Sequence, residues 1–83
     1  MHIAIYSTPT CPYCKMAKQF FTEHAIAFDD IDVSADEKRA EEMIRMSGQM
    51  GVPVIVVTTE AGKEEVVIGF DKAKLATLVG VRA

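Results

Sequence analysis

Thr10-Cys11-Pro12-Tyr13-Cys14 holds both cysteines of the 83-residue chain, and where it falls decides the fold. A short apolar run that reads as a strand, Ile3-Ala4-Ile5-Tyr6, precedes it, and an amphipathic run that reads as a helix, Met16 to Phe21, follows. On the first turn of a helix, positions i and i+3 share a face, so two sulfurs spaced this way can meet and part. The helix N-terminus adds unsatisfied N–H groups and a partial positive charge, which favour thiolate over thiol. Pro12 suits the first helical position, where its missing N–H costs nothing. Cys11 is then expected to be the exposed nucleophile, and Cys14, one turn in, the resolving thiol.

Two plainer readings compete with a redox dithiol. Half of a structural zinc site needs further protein ligands, and the chain offers only His2 and His24, at no finger or ribbon spacing. A structural disulfide across so short a loop would constrain the unfolded chain very little. The redox reading is the stronger.

Composition sets the frame. Hydrophobic residues make up 49% of the chain and charged residues 25%, so a single small core must hold without a second cysteine pair to staple it. The net charge of −3, with no basic cluster, argues against nucleic acid or an anionic membrane as partner. No run approaches the roughly eighteen apolar residues that span a bilayer, and the N-terminus passes directly into the first strand-like run without a leader pattern. A dithiol in such a chain points to a reducing cytoplasm, where cysteine pairs cycle rather than staple.

Taken in order, His2 to Tyr6 reads as a strand and Pro12 to about His24 as a helix, with Tyr13, Ala17, Phe20, Phe21 and His24 at inward spacings. His24, near the helix C-terminus, suits the negative end of the dipole. Ala25 to Val33 reads as a second strand whose alternation breaks: Ile26 and Phe28 have one parity, Ile31 and Val33 the other, which predicts a bulge or an early end. Ser34-Ala35-Asp36-Glu37 fits a capping box opening a helix that buries Ala40, Met43, Ile44 and Ser47 and stops at Gly48. Glu37, Lys38, Arg39, Glu41 and Glu42 are its solvated face. Val54-Ile55-Val56-Val57 reads as a central strand covered on both sides, with Pro53 at its start. A turn over Thr59 to Lys63 leads to Val66-Val67-Ile68, ended by Gly69. Asp71 caps a last helix, with Phe70 stapled to Leu75; Leu75, Leu78 and Val79 face inward and Gly80 marks the stop. The order is β-α-β-α-β-β-α: one α/β domain over residues 1–83, in which a parallel βαβ unit joins a hairpin through a helix.

Tyr6-Ser7, Cys11-Pro12-Tyr13-Cys14, Val52-Pro53 and Gly69-Phe70-Asp71, in that order, resemble the glutaredoxin branch of the thioredoxin fold along essentially the whole chain. The resemblance implies a thioredoxin-like three-layer sandwich, a four-stranded mixed sheet with helices on both faces. It implies a thiol–disulfide oxidoreductase acting through Cys11 and Cys14, with Pro12 and Tyr13 flanking the thiols. It also implies a cis Val52–Pro53 bond facing the cysteines, which leaves the Val52 backbone free to pair with a bound disulfide substrate. The carboxylate of glutathione would be received at Gly69-Phe70-Asp71, where Asp71 is both cap and binding residue.

The sequence also departs from glutathione-specific members. Thr8 stands where they usually carry a lysine, and Phe70 where they carry a second glycine. Gln49, Lys15 or Arg45 would have to supply the missing contact. The Gly69-Phe70 pair resembles instead the glutaredoxin-like redoxins that serve ribonucleotide reductase and draw electrons from thioredoxin reductase. The resemblance implies no tightly bound cofactor and no metal, with glutathione a candidate co-substrate. Expected partners are protein disulfides together with glutathione or thioredoxin reductase as reductant, and the expected form is a cytoplasmic monomer. The alternative reading is a dimer that carries a [2Fe–2S] cluster through Cys11 and two glutathiones, which the proline after Cys11 disfavours.

Overall fold

Seven elements follow in the expected order: β1 (His2–Ser7), α1 (Pro12–Glu23), β2 (Asp29–Asp32), α2 (Glu37–Ser47), β3 (Val54–Thr58), β4 (Glu64–Ile68) and α3 (Lys72–Val79). The computed structural model describes residues 1–81; Arg82 and Ala83, the end of the domain expected over 1–83, lie outside the described residues. The strands form one mixed sheet in the order β2-β1-β3-β4. β1 is parallel to β2, with Ala4 opposite Asp29, and antiparallel to β3, with Tyr6 opposite Val54. β4 returns on β3 through the turn at Thr59–Lys63, where Gly62 has φ +82°.

Strand parity divides the core into two layers. Ile3 and Ile5 of β1, Ile55 and Val57 of β3 and Val67 of β4 meet Ala17, Phe20 and Phe21 of α1 and Leu75 and Ala76 of α3. On the other face Tyr6, Val54 and Val56 meet Met43 of α2. Val54 to Val57 are buried throughout, as their unbroken apolar run predicts for a strand covered on both sides.

Three local expectations are corrected. Tyr13, expected on the inward stripe of α1, is 61% exposed; Cys14 takes the buried place in the stripe with Ala17, Phe20 and Phe21. α2 is capped by Asp36, whose carboxylate accepts the Arg39 N–H at 3.2 Å, while Ser34 is engaged by Asp32, so the capping box at Ser34 does not form. Met46 rather than Ile44 joins Met43 against the sheet, and Ile44 is exposed. The charged face of α2 is not wholly solvated either: Glu42 accepts a hydrogen bond from the buried Tyr6 hydroxyl at 3.1 Å and another from Arg39 at 3.0 Å.

The second strand is shorter than Ala25 to Val33. Pairing with β1 runs without a bulge from Asp29 to Asp32, so the change of parity marks a change of buried face. Ile26 and Phe28 pack on the α1 side, Ile31 and Val33 on the α2 side. The residues before β2 serve to end α1. Ala25 sits in the left-handed region at φ +54°; its N–H donates to the Thr22 carbonyl at 3.1 Å, and the Ile26 N–H donates to the Phe21 carbonyl at 2.8 Å. These two bonds form a Schellman stop with alanine in the place glycine usually holds. β2 and β4, the outer strands, carry Asp29, Asp30 and Asp32 on one margin and Glu64 and Glu65 on the other.

An alanine in the left-handed region costs about 1–2 kcal/mol, and glycine returns part of that as unfolded-state entropy. Ala25→Gly should therefore stabilise the protein by about 0.5–1 kcal/mol, read as a higher urea midpoint at unchanged slope. Ala25→Val should lower the midpoint.

Candidate active site

The strand registers bring three chain segments to one end of the sheet. β1 leaves at Ser7 beside the start of β3 at Val54, and Val54 pairs with Ile68 at the end of β4. The segments that follow or precede these residues therefore cluster: Thr8 to Cys11, Val52-Pro53, and Gly69 to Asp71. Two helix N-termini open there, α1 capped by Cys11 and α3 capped by Asp71.

Cys11 has extended backbone, φ −89° and ψ 113°, with Pro12 following at the start of α1. Its Sγ accepts the Cys14 N–H at 3.1 Å, so the sulfur itself caps the helix. The Cys11 N–H donates to the Thr8 carbonyl at 3.4 Å, which closes the loop from β1. Cys11 is 9% exposed rather than the open thiol expected, and Cys14 is fully buried one turn in. Burial, the largest cause, pushes the Cys14 thiol up to about 11, and the neighbouring Cys11 adds to the rise. A backbone hydrogen bond at Thr8 and the charge of Lys18 lean the other way.

The Val52–Pro53 bond is cis, and Pro53 is buried. The Pro53 carbonyl accepts the Gly69 N–H at 2.9 Å, tying the β4 exit to the β3 start; Gly69 takes φ +76°, which a side chain would resist. Asp71 accepts the Lys74 N–H at 3.1 Å as cap of α3. Phe70 is half-buried and packs on the α1 layer, its ring 6.1 Å from that of Phe20, so it anchors this turn to α1. Gln49 lies in the α2–β3 loop, its backbone tied to the Ser47 hydroxyl rather than to either cysteine. Lys15 and Arg45 are exposed on their helices.

A cavity of about 250 Å³ lies beside this cluster, between Met16, Gln19, Phe20 and Glu23 of α1 and Phe70 and Lys72 at the start of α3. No cysteine lines it. Among the described residues no group of three or more histidine, cysteine or acidic side chains could hold a metal ion, and no helix is long and apolar enough to cross a membrane.

Sequence reading missed a polar cluster under α1. Ser7, 1% exposed, donates its hydroxyl to Asp30 at 2.8 Å, and the Lys18 ammonium lies 2.8 Å from the other Asp30 oxygen. Burial opposes ionisation of Asp30, but the hydrogen bonds from Lys18 and Ser7 and the Lys18 charge outweigh it and hold the carboxyl below its ordinary range. The signal was available: Ser7 continues the inward parity of Ile3 and Ile5.

The glutaredoxin family model matches residues 3–61. A glutaredoxin-like 8.6 kDa protein of the rubredoxin operon of Clostridium pasteurianum is 43% identical over 77 residues, covering 93% of this chain and 96% of that one. The glutaredoxin-like protein NrdH of Lactococcus lactis is 40% identical over 53 residues, 64% of this chain and 72% of that one. The crystal structure of a glutaredoxin from Archaeoglobus fulgidus superposes with a TM-score of 0.80 at 26% identity, covering 94% of this chain and 85% of that one.

The buried Cys14 thiol sets a pH dependence. From about pH 9 towards 11 the unfolded chain releases this proton while the folded chain keeps it. The unfolded state then binds fewer protons, so stability of the reduced protein should fall as pH rises through that window. Chemical unfolding at stepped pH measures the decline, and Cys14→Ala should flatten it.

Proposed function

This chain belongs to the glutaredoxin family of thiol–disulfide oxidoreductases, and from that premise we propose that its exchange chemistry runs through Cys11 and Cys14 at the end of the sheet. The observation that carries the reading is the sulfur cap: Cys11 Sγ receives the Cys14 N–H at 3.1 Å, on a helix N-terminus whose dipole stabilises negative charge. The Cys11 thiolate attacks one sulfur of a substrate disulfide and forms a mixed disulfide with it, and the other substrate sulfur leaves as the first thiolate. Cys14 then attacks Cys11 Sγ and releases the second substrate thiol, leaving Cys11 and Cys14 oxidised. Pro12 and Tyr13 flank the nucleophile, and the exposed Tyr13 ring offers contact area to a protein substrate. The Val52 backbone, ahead of the β1–β3 register, offers a strand-like edge to the substrate chain.

The proposed reductant is thioredoxin reductase, with glutathione a weaker co-substrate. Asp71 and the N-terminus of α3 suit a ligand carboxylate. Thr8 supplies no cation beside Cys11, and Phe70, packed on Phe20, fills the turn next to Gly69. The resemblance to NrdH of Lactococcus lactis supports the same preference. We further propose that residues 1–83 form one domain that works as a monomer in the cytoplasm on protein disulfides.

Cys11→Ser should reduce exchange to background with any disulfide. Cys14→Ser should accumulate mixed disulfides with protein substrates, seen as a mass increase reversed by dithiothreitol. Equal loss in both variants without trapped species would overturn these roles.

A charge-assisted contact is worth about 1.5–3 kcal/mol, or roughly one to two decades of affinity. Thr8→Lys should therefore improve glutathione-coupled turnover by about tenfold, mostly through KM, and leave reduction by thioredoxin reductase unchanged. Phe70 is left in place because its ring is part of the α1 layer. Strong glutathione turnover by the unaltered protein, with no gain from the lysine, would reverse the preference.

A further inference from the structure

The sheet face beneath α1 is apolar at Ile3 and Ile5, then becomes polar at the end that carries the thiols. Ser7 is the next residue of that parity on β1, and Asp30 and Asp32 have the parity on β2 opposite to Ile31 and Val33, which pack on the α2 side. Lys18 stands above them on α1, four residues after Cys14 and so on the same side of the helix. Its side chain is only 26% exposed, and Asp30 holds its ammonium at 2.8 Å while also accepting from the Ser7 hydroxyl. A cavity of about 170 Å³, lined by Ser7, Pro9, Lys18, Asp30 and Asp32, adjoins the cluster and has room for a few waters.

We propose that Lys18 is a positioning residue for the resolving step: its ammonium, moored to Asp30 and through Asp30 to Ser7, stabilises the Cys14 thiolate as the internal disulfide closes. The inference rests on the exchange reading above. Cys14 begins as a thiol and releases its proton to solvent. The thiolate attacks Cys11 Sγ; the Cys11–Cys14 bond forms as the bond from Cys11 to the substrate sulfur breaks. The substrate sulfur leaves with the electron pair and takes up a proton from water, so one proton and two electrons pass to the products in balance. The groups around this event are Cys11 at the cap of α1, Lys18 from α1, Asp30 and Asp32 from β2, and the neutral Ser7 from β1. The Ser34 N–H and hydroxyl donate to Asp32. The charge of Lys18 acts on Cys14 against its burial, in the direction this role requires.

The test isolates Cys14 in a Cys11→Ser background and follows its alkylation by iodoacetamide against pH. Lys18→Met and Lys18→Gln should each shift the profile to higher pH and slow alkylation about three- to tenfold at pH 8, and Lys18→Arg should restore most of it. With both cysteines present, release of glutathione from a preformed Cys11 mixed disulfide should slow by a similar factor. That difference should vanish at alkaline pH, where Cys14 ionises without help. Met and Gln at this partly exposed helix position should both fold, which circular dichroism checks. Unchanged profiles in the two folded variants would overturn the inference and leave Lys18–Asp30 a surface ion pair. The single-thiol measurement needs no turnover, so a protein inactive in exchange but still dependent on Lys18 would overturn the exchange reading alone.

Discussion

The first turn of a helix carries N–H groups that no carbonyl within the helix can receive, and in α1 one of them is received by a sulfur. This bond fixes more than a helix end. It sets the two sulfurs one turn apart, and it requires Cys11 in extended backbone with Pro12 taking up the helix behind it. The short passage from Ser7 must then deliver Cys11 to the right height, which only a strand anchored between neighbours can do. β1 has β2 on one side and β3 on the other. An acceptor that becomes anionic also receives the N–H more strongly, so the helix start is best capped when the sulfur is ready to react.

The two core layers divide the remaining work. On one side Phe20 and Phe21 of α1, with Leu75 and Ala76 of α3, lock the helices to β1 and β3, and Phe70 extends that layer to the turn before α3. On the other, α2 is held by Met43 and by the Tyr6–Glu42–Arg39 hydrogen bonds, which keep a buried hydroxyl satisfied. Burial pushes the Tyr6 hydroxyl above its ordinary value and the bond to Glu42 adds to this, so it stays a neutral donor at working pH. Segments from β1, β3 and β4 are thus fixed to one another before any substrate arrives, as precise thiol geometry demands.

Much of this was legible in the chain because the deciding signals are local. Val54 to Val57 could only be a doubly covered strand, Pro12 and Asp71 mark helix starts, and Gly48 and Gly80 mark helix stops. The misses arose where one residue had two uses. Ser34 had the spacing of a cap, but Asp32 captured it first and left the role to Asp36. Ala25 to Phe28 had strand-like composition, but it ends α1 and fills the layer beneath it. Cys14 was read for its chemistry and therefore not counted as core, which left Tyr13 in its place on the inward stripe. The two thiols stand out as candidates in the chain because their identity carries the signal. The Ser7–Asp30–Lys18 cluster does not, because three separate elements build it and no spacing in the chain joins them.

A four-stranded open sheet ends in two margins, and each presents backbone groups that another strand could join. In this molecule the margins are acidic: Asp29, Asp30 and Asp32 on β2, Glu64 and Glu65 on β4. Were two copies to meet margin to margin, like carboxylates would face one another at strand spacing, which is destabilising in a ladder. Both apolar layers owe nothing to these side chains. Apart from Asp30, which also holds Ser7 and Lys18, the acidic margins act therefore as a colloidal guard, and strong acid, in neutralising them, removes what holds one sheet apart from the next.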